Sequence, residues 1–65
     1  MRLTPKAAAD RFDFGHQCAV DAVLAERNGE DDDASDFVAL ALMTAKELRS
    51  AGYGEYAQAI EGIIQ

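Results

Sequence analysis

Phe37–Gly52, FVALALMTAKELRSAG, decides the fold. Phe37, Ala41, Thr44, Ala45 and Leu48 recur at intervals of three and four, which places them on one stripe of an α-helix. Leu40 and Val38 stand at its margins, while Lys46, Arg49 and Ser50 sit away from it. Lys46 and Arg49 also fall near the end of the helix, where cations meet the negative pole of its dipole. Gly52 is a stop signal, because a helix end commonly needs a left-handed residue.

Leu42 and Met43 lie off that stripe and leave a choice open. A short bundle that packs this helix on two sides would bury them. Otherwise both are at least half exposed in a monomer and offer a possible apolar contact for a partner or a second copy.

Upstream lies ERNGEDDDASD, Glu26–Asp36, with six acids, one base and a net charge of −5 out of −6 for the whole chain. Asn28-Gly29 ends a preceding helix, residues 29–33 read as a short acidic connection, and the next helix is expected to start at Asp33 or Ser35. Asp33 with Asp36 resembles a capping box in acidic form. Capping does not require Glu30, Asp31 and Asp32, which Glu26 backs one turn earlier. Solubility is the plain explanation for them. An anionic surface that meets a basic one is the functional explanation, since complementary charge speeds encounter and selects partners.

A calcium loop starting at Asp31 fails. Asp36 stands at the sixth position, where the loop needs Gly, and Leu42 at the twelfth, where it needs Glu.

Thr4-Pro5 opens the first helix, with Thr as cap and Pro at a position where its missing N–H costs nothing. Gly15 interrupts the pattern. Either one helix runs over 5–27 with a weak point there, or a short helix 5–11 precedes a main one near 14–27. The cost of glycine inside a helix favours the second reading. Phe12, Ala19, Val20 and Val23 line one face, and Asp13, Gln17 and Asp21 the opposite one. Downstream, Tyr53, Tyr56, Ala57, Ile60, Ile63 and Ile64 give a third helix, from about 54 to 64, a strongly apolar face. Tyr53 and Tyr56 suit a core edge or an interface equally. The expected architecture is all-α: one domain over 1–65, a small bundle of three main helices with room for a short extra one at the N-terminus.

Composition narrows the function classes. The chain is 49% hydrophobic and rich in alanine, which favours folding, and 65 residues make a marginal core. Cys18 is the only cysteine, so no disulfide forms within the chain and a reducing, cytoplasmic compartment is expected. No apolar run is long enough for a membrane span. The negative charge opposes direct binding to nucleic acid and to anionic membranes.

Catalysis finds no motif. His16 and Cys18, two residues apart on a helix, face different ways and cannot act as base and nucleophile. Cys18 reads as a small buried hydrophobe, and His16 as a partly buried boundary residue. Zinc would need ligands that the chain does not offer. No enzymatic activity, cofactor or metal site is expected. The third helix offers only Gln58 and Gln65 beside Glu55 and Glu61, a poor recognition helix for DNA. The bases Arg2, Lys6, Arg11, Lys46 and Arg49 are segregated from the acidic middle.

Length, the EDDD run Glu30–Asp33 and the lack of a catalytic set resemble the small acidic inhibitors encoded by phages and mobile elements, among them DNA-mimic and anti-CRISPR proteins. The resemblance is one of class and spans no aligned motif. It implies a protein that acts in the host cytoplasm, binds a nucleic-acid-handling complex and blocks its DNA site. The expected function is a non-enzymatic binding protein whose site is Glu26, Glu30, Asp31, Asp32, Asp33 and Asp36, with a Lys/Arg-rich protein surface as partner. The alternative is a structural or regulatory helical module held as a homodimer through Leu42 and Met43.

Overall fold

The computed structural model describes residues 3–65 as three helices with no strand among the described residues: α1 Pro5–Arg27, α2 Asp31–Ser50 and α3 Gly54–Ile64. Thr4 caps α1 as expected. Its Oγ1 accepts the Ala7 N–H at 3.1 Å, and Pro5 follows at the first helical position.

Both connections are Schellman turns. Gly29 (φ 75°) donates to the Glu26 carbonyl at 3.1 Å and Glu30 to Ala25 at 2.8 Å. Gly52 (φ 94°) and Tyr53 repeat the pattern on Arg49 at 3.1 Å and Leu48 at 2.8 Å. Each turn closes so tightly that its last residue is also the cap of the next helix: Glu30 for α2, Tyr53 for α3.

This corrects the expected start of α2. The helix begins at Asp31, not at Asp33 or Ser35, and Asp31, Asp32 and Asp33 form its first turn. No side-chain capping bond is present at this end, so the capping box of Asp33 and Asp36 does not exist. The backbone closure at Glu30 leaves no connection for Asp33 to cap.

Helix α1 is also a correction, since it is continuous through Gly15. Gly15 is buried against α2 and α3: a Cβ there would lie 2.7 Å from Ile60 Cδ1 and 2.8 Å from Thr44 Cγ2. The glycine marks a close approach of helices, not a break.

The core is built from small residues. Eight of the eleven buried hydrophobic residues are alanines, joined by Cys18, Leu48 and Ile60. Buried alanines let the three helices approach closely and supply little area per residue. On α2 the expected stripe holds, with Ala41, Thr44, Ala45 and Leu48 buried and Phe37 half-buried. Thr44 satisfies its hydroxyl by donating to the Leu40 carbonyl at 2.9 Å. On α1 Ala19 is buried and Phe12 packs against the core as expected, but the buried face is rotated towards Ala8, Gly15, Cys18, Ala22 and Ala25, which leaves Val20 and Val23 half-buried. On α3, Ala57 and Ile60 are buried, and Tyr53, Tyr56, Ile63 and Ile64 pack at the margin.

Helix α3 is about half the length of the α1–α2 hairpin and lies against the end remote from the Gly29 turn. Tyr56 stacks on Phe12 at 4.7 Å between ring centroids, and Arg49 grips Glu61 through two 2.7 Å bonds. The molecule is an elongated body of 37 × 17 × 14 Å.

Candidate functional site

Two surfaces stand out: the acidic tip of the α1–α2 hairpin, and a groove along that hairpin.

At the tip, the Schellman turn sets the last turn of α1 against the first turn of α2. That fold gathers Glu26, Glu30, Asp31, Asp32, Asp33 and Asp36, all exposed. Residues 21–39 hold seven acids and one base, a net −6 that equals the charge of the entire chain, so the rest is neutral. Three carboxylates in the first turn of α2 lie at the positive pole of its dipole, which favours each by roughly 0.3–1 kcal/mol at low salt. This local role covers Asp31 and Asp32, which capping alone left without a reason.

Successive helical residues point about 100° apart. Asp31, Asp32 and Asp33 therefore spread around the helix end rather than converging. Among the described residues, no three His, Cys, Asp or Glu side chains come together where a metal ion could sit. The tip is a rounded anionic cap, with its charges on one end of the molecule and not in a row along a helix.

The groove runs between α1 and α2 and has a volume of about 630 Å³. Leu3, Phe14, Leu40, Met43 and Ala51 supply its apolar lining, with Arg11, Lys46 and Glu47 at its rim. Arg11 and Glu47 pair across it at 2.7 Å. Phe14 is 51% exposed and Met43 68%. The sequence pointed to Leu42 and Met43 as a pair, and the structure separates them. Met43 lines the groove, whereas Leu42, 41% exposed, does not. Phe14 was missed; an aromatic residue between Asp10 and Gln17, on the polar side of α1, was its signal.

His16 is exposed rather than partly buried, and its ring centroid lies 5.6 Å from that of Phe12 with the planes tilted by 50°. Cys18 is buried as expected. Burial, with the negative charge of Asp21 as a lesser cause, holds its thiol above the ordinary range. A protonated, enclosed thiol is a poor nucleophile. Tyr53 donates its hydroxyl to the Leu3 carbonyl at 3.0 Å and stacks on Tyr56 at 5.9 Å, which makes both tyrosines core-edge residues. Lys6 and Lys46 are exposed, and Arg2 lies outside the described residues. Among the described residues, no helix is long and apolar enough to cross a membrane.

No protein family matches this chain, and neither a curated protein nor a solved structure matches it.

Proposed function

We propose that this chain is a non-enzymatic binding protein whose acidic tip engages a Lys/Arg-rich surface of a protein partner. In this reading it works in the cytoplasm and inhibits a nucleic-acid-binding complex by occupying the surface that holds phosphates, in the manner of the small phage-encoded inhibitors it resembles. The observation that carries the reading is the segregation of charge. Every unit of net charge lies within residues 21–39, at one end of a 37 Å body whose remainder is neutral. Such a body is an electric pole on a stem, and its field orients it tip-first towards a basic surface.

The shape of the tip refines the partner. A long double-helical groove would call for carboxylates in a row. A rounded cap with Asp31, Asp32 and Asp33 on different sides suits a concave basic pocket of about the width of a helix end.

The test is the affinity for the partner recovered from the native host, measured from low to high salt. Affinity is expected to fall steeply with salt. It is also expected to fall in the Glu30→Ser, Asp31→Ser, Asp32→Ser triple variant. Affinity that is flat with salt, or unchanged in the triple variant, would overturn the reading.

A further inference from the structure

We infer that Asn28-Gly29, at the apex of the α1–α2 hairpin, is a covalent modification site: the asparagine deamidates through its own backbone, and the Schellman turn sets the rate. Asn28 is the only asparagine in the chain, and a glycine follows it. Gly29 has no side chain to shield its backbone nitrogen from the neighbouring amide. Both residues are exposed, and a Cβ on Gly29 would meet nothing within 4 Å. Water and solvent base therefore reach the pair.

The chemistry needs water and no other reactant. A solvent base takes the Gly29 amide proton, and the nitrogen attacks Cγ of Asn28. The new N–Cγ bond closes a succinimide ring as the Cγ–Nδ2 bond breaks, and Nδ2 leaves as ammonia with a proton from water. Water then opens the ring at one of its two carbonyls. Breaking the new bond leaves an ordinary aspartate. Breaking the former peptide bond leaves an isoaspartate, whose backbone runs through Cβ and Cγ. The sum is an amide and water converted to a carboxylate and ammonium, a change of charge and of covalent path.

Two features of the folded turn block ring closure. The ring requires the Gly29 nitrogen to be nearly eclipsed with Cβ of Asn28 about the Cα–C bond. At the observed ψ of 2° it eclipses the nitrogen of Asn28 instead. That leaves it a third of a turn from Cβ, because the substituents of a tetrahedral carbon are spaced by that angle. The Gly29 N–H also donates to the Glu26 carbonyl at 3.1 Å, so the proton that must leave is held. Glu30 pins the same turn through its 2.8 Å bond to Ala25. The reaction consequently runs through an open turn. Solvent-exposed backbone bonds at a hairpin end, beyond the cover of α3, are those that open locally.

The product acts back on the turn. Either product adds one negative charge to the −6 of residues 21–39 and sets it at the negative pole of α1. The isoaspartate also puts an extra backbone atom inside the loops that the Gly29 and Glu30 bonds close. Glu30 is the cap of α2, and its carbonyl accepts the Ala34 N–H at 2.9 Å. The change is therefore felt at the junction of both helices, and it is one-way. It does not depend on what the tip binds.

The test incubates the full chain in mildly alkaline buffer, with and without urea, and follows its peptides by mass spectrometry. The peptide that holds Asn28 is expected to gain about 1 Da, at least about tenfold faster in urea than in the folded chain. Asn28→Gln should abolish the gain, since the larger ring closes slowly. Glu30→Pro removes the bond to Ala25 and should raise the rate in buffer several-fold relative to its own rate in urea, with circular dichroism confirming that the variant is helical. The contrast between buffer and urea carries the test even if that variant fails to fold. The isoaspartate form, separated by its added charge, should exchange its Ala34 amide faster than Asn28→Asp, which has the same charge and an ordinary backbone. No gain in urea, or a gain that survives in Asn28→Gln, would overturn the site. Equal rates in urea and in a buffer where the chain is helical would overturn its control by the turn. Exchange in the isoaspartate form as slow as in Asn28→Asp would overturn its effect on the start of α2.

Discussion

Gly15 passes beneath Ile60 so closely that a Cβ on it would lie 2.7 Å from Ile60 Cδ1. Thr44 Cγ2 closes the other side at 2.8 Å, and Ile60 and Thr44 are themselves buried. Neither neighbour can swing into solvent to make room. Gly15→Ala gains about 1 kcal/mol of helix propensity, and overpacking a dense core costs about 1–3 kcal/mol, so a net loss of stability is expected. Gly62, on the same bundle, has nothing within 4 Å of its would-be Cβ. Gly62→Ala should therefore stabilise, by up to about 1 kcal/mol. Urea denaturation of the two variants checks the contrast; stabilisation by Gly15→Ala would contradict the close approach.

Tyr53 ties the N-terminus to the start of α3. Its ring packs in the stack with Tyr56, and its hydroxyl donates to the Leu3 carbonyl at 3.0 Å. Tyr53→Phe keeps the ring and removes the bond. A partly buried neutral hydrogen bond contributes about 0.5–1.5 kcal/mol, and a loss of that size is expected in the same denaturation measurement. Hydrogen exchange should also quicken at the Ala7 and Ala8 amides, which Thr4 holds next to Leu3.

The helices were legible because their stop signals are local. Gly29 and Gly52 end α1 and α2 as glycine ends helices, and the stripe Phe37 to Leu48 predicted its own burial. Gly15 was illegible because its reason is tertiary: the absent Cβ makes room for Ile60, which is forty-five positions away. The start of α2 was misread for a different reason. The Schellman turn satisfies α1 with backbone groups of Gly29 and Glu30, so no side chain marks the boundary, and side chains are what a sequence displays. The acidic residues of the site were evident from charge alone, while their arrangement as a cap followed only once Asp31 was placed in the first helical turn. The groove depended on which side of the hairpin α3 occupies. Periodicity within one helix does not carry that, and so Leu42 and Met43 looked equivalent and Phe14 went unnoticed.

Arg49 and Glu61 join α2 to α3 through two 2.7 Å bonds. The hydrogen bond from Arg49, reinforced by its charge and opposed by burial, holds the Glu61 carboxyl below its ordinary value of 4.5. A depressed carboxylate contributes stability above its ordinary pKa and loses it as pH falls through the depressed value. A carbon-detected NMR titration should therefore place the Glu61 midpoint below 4.5, and Arg49→Gln should return it towards that value. The pair is exposed to solvent, so salt should shrink the difference. An unchanged midpoint in Arg49→Gln would remove the pair as its cause.

Cys18 gives the alkaline counterpart. Burial, and secondarily the charge of Asp21, raise its thiol above the ordinary 9.0. The folded state therefore holds the thiol proton more tightly than the unfolded chain does. The associated stability is whole below the ordinary thiol value and is lost as pH rises from there through the folded value. The difference in unfolding free energy between the wild type and Cys18→Ala should narrow as pH rises through that window, with the wild type losing ground. Every other side chain is common to the two proteins, so the difference isolates the thiol. Labelling by a maleimide at neutral pH should be slow in the native chain and fast in urea, because the thiol is both enclosed and protonated. Rapid labelling of the folded chain, or a pH-independent difference from Cys18→Ala, would show that the thiol is not held inside the alanine core.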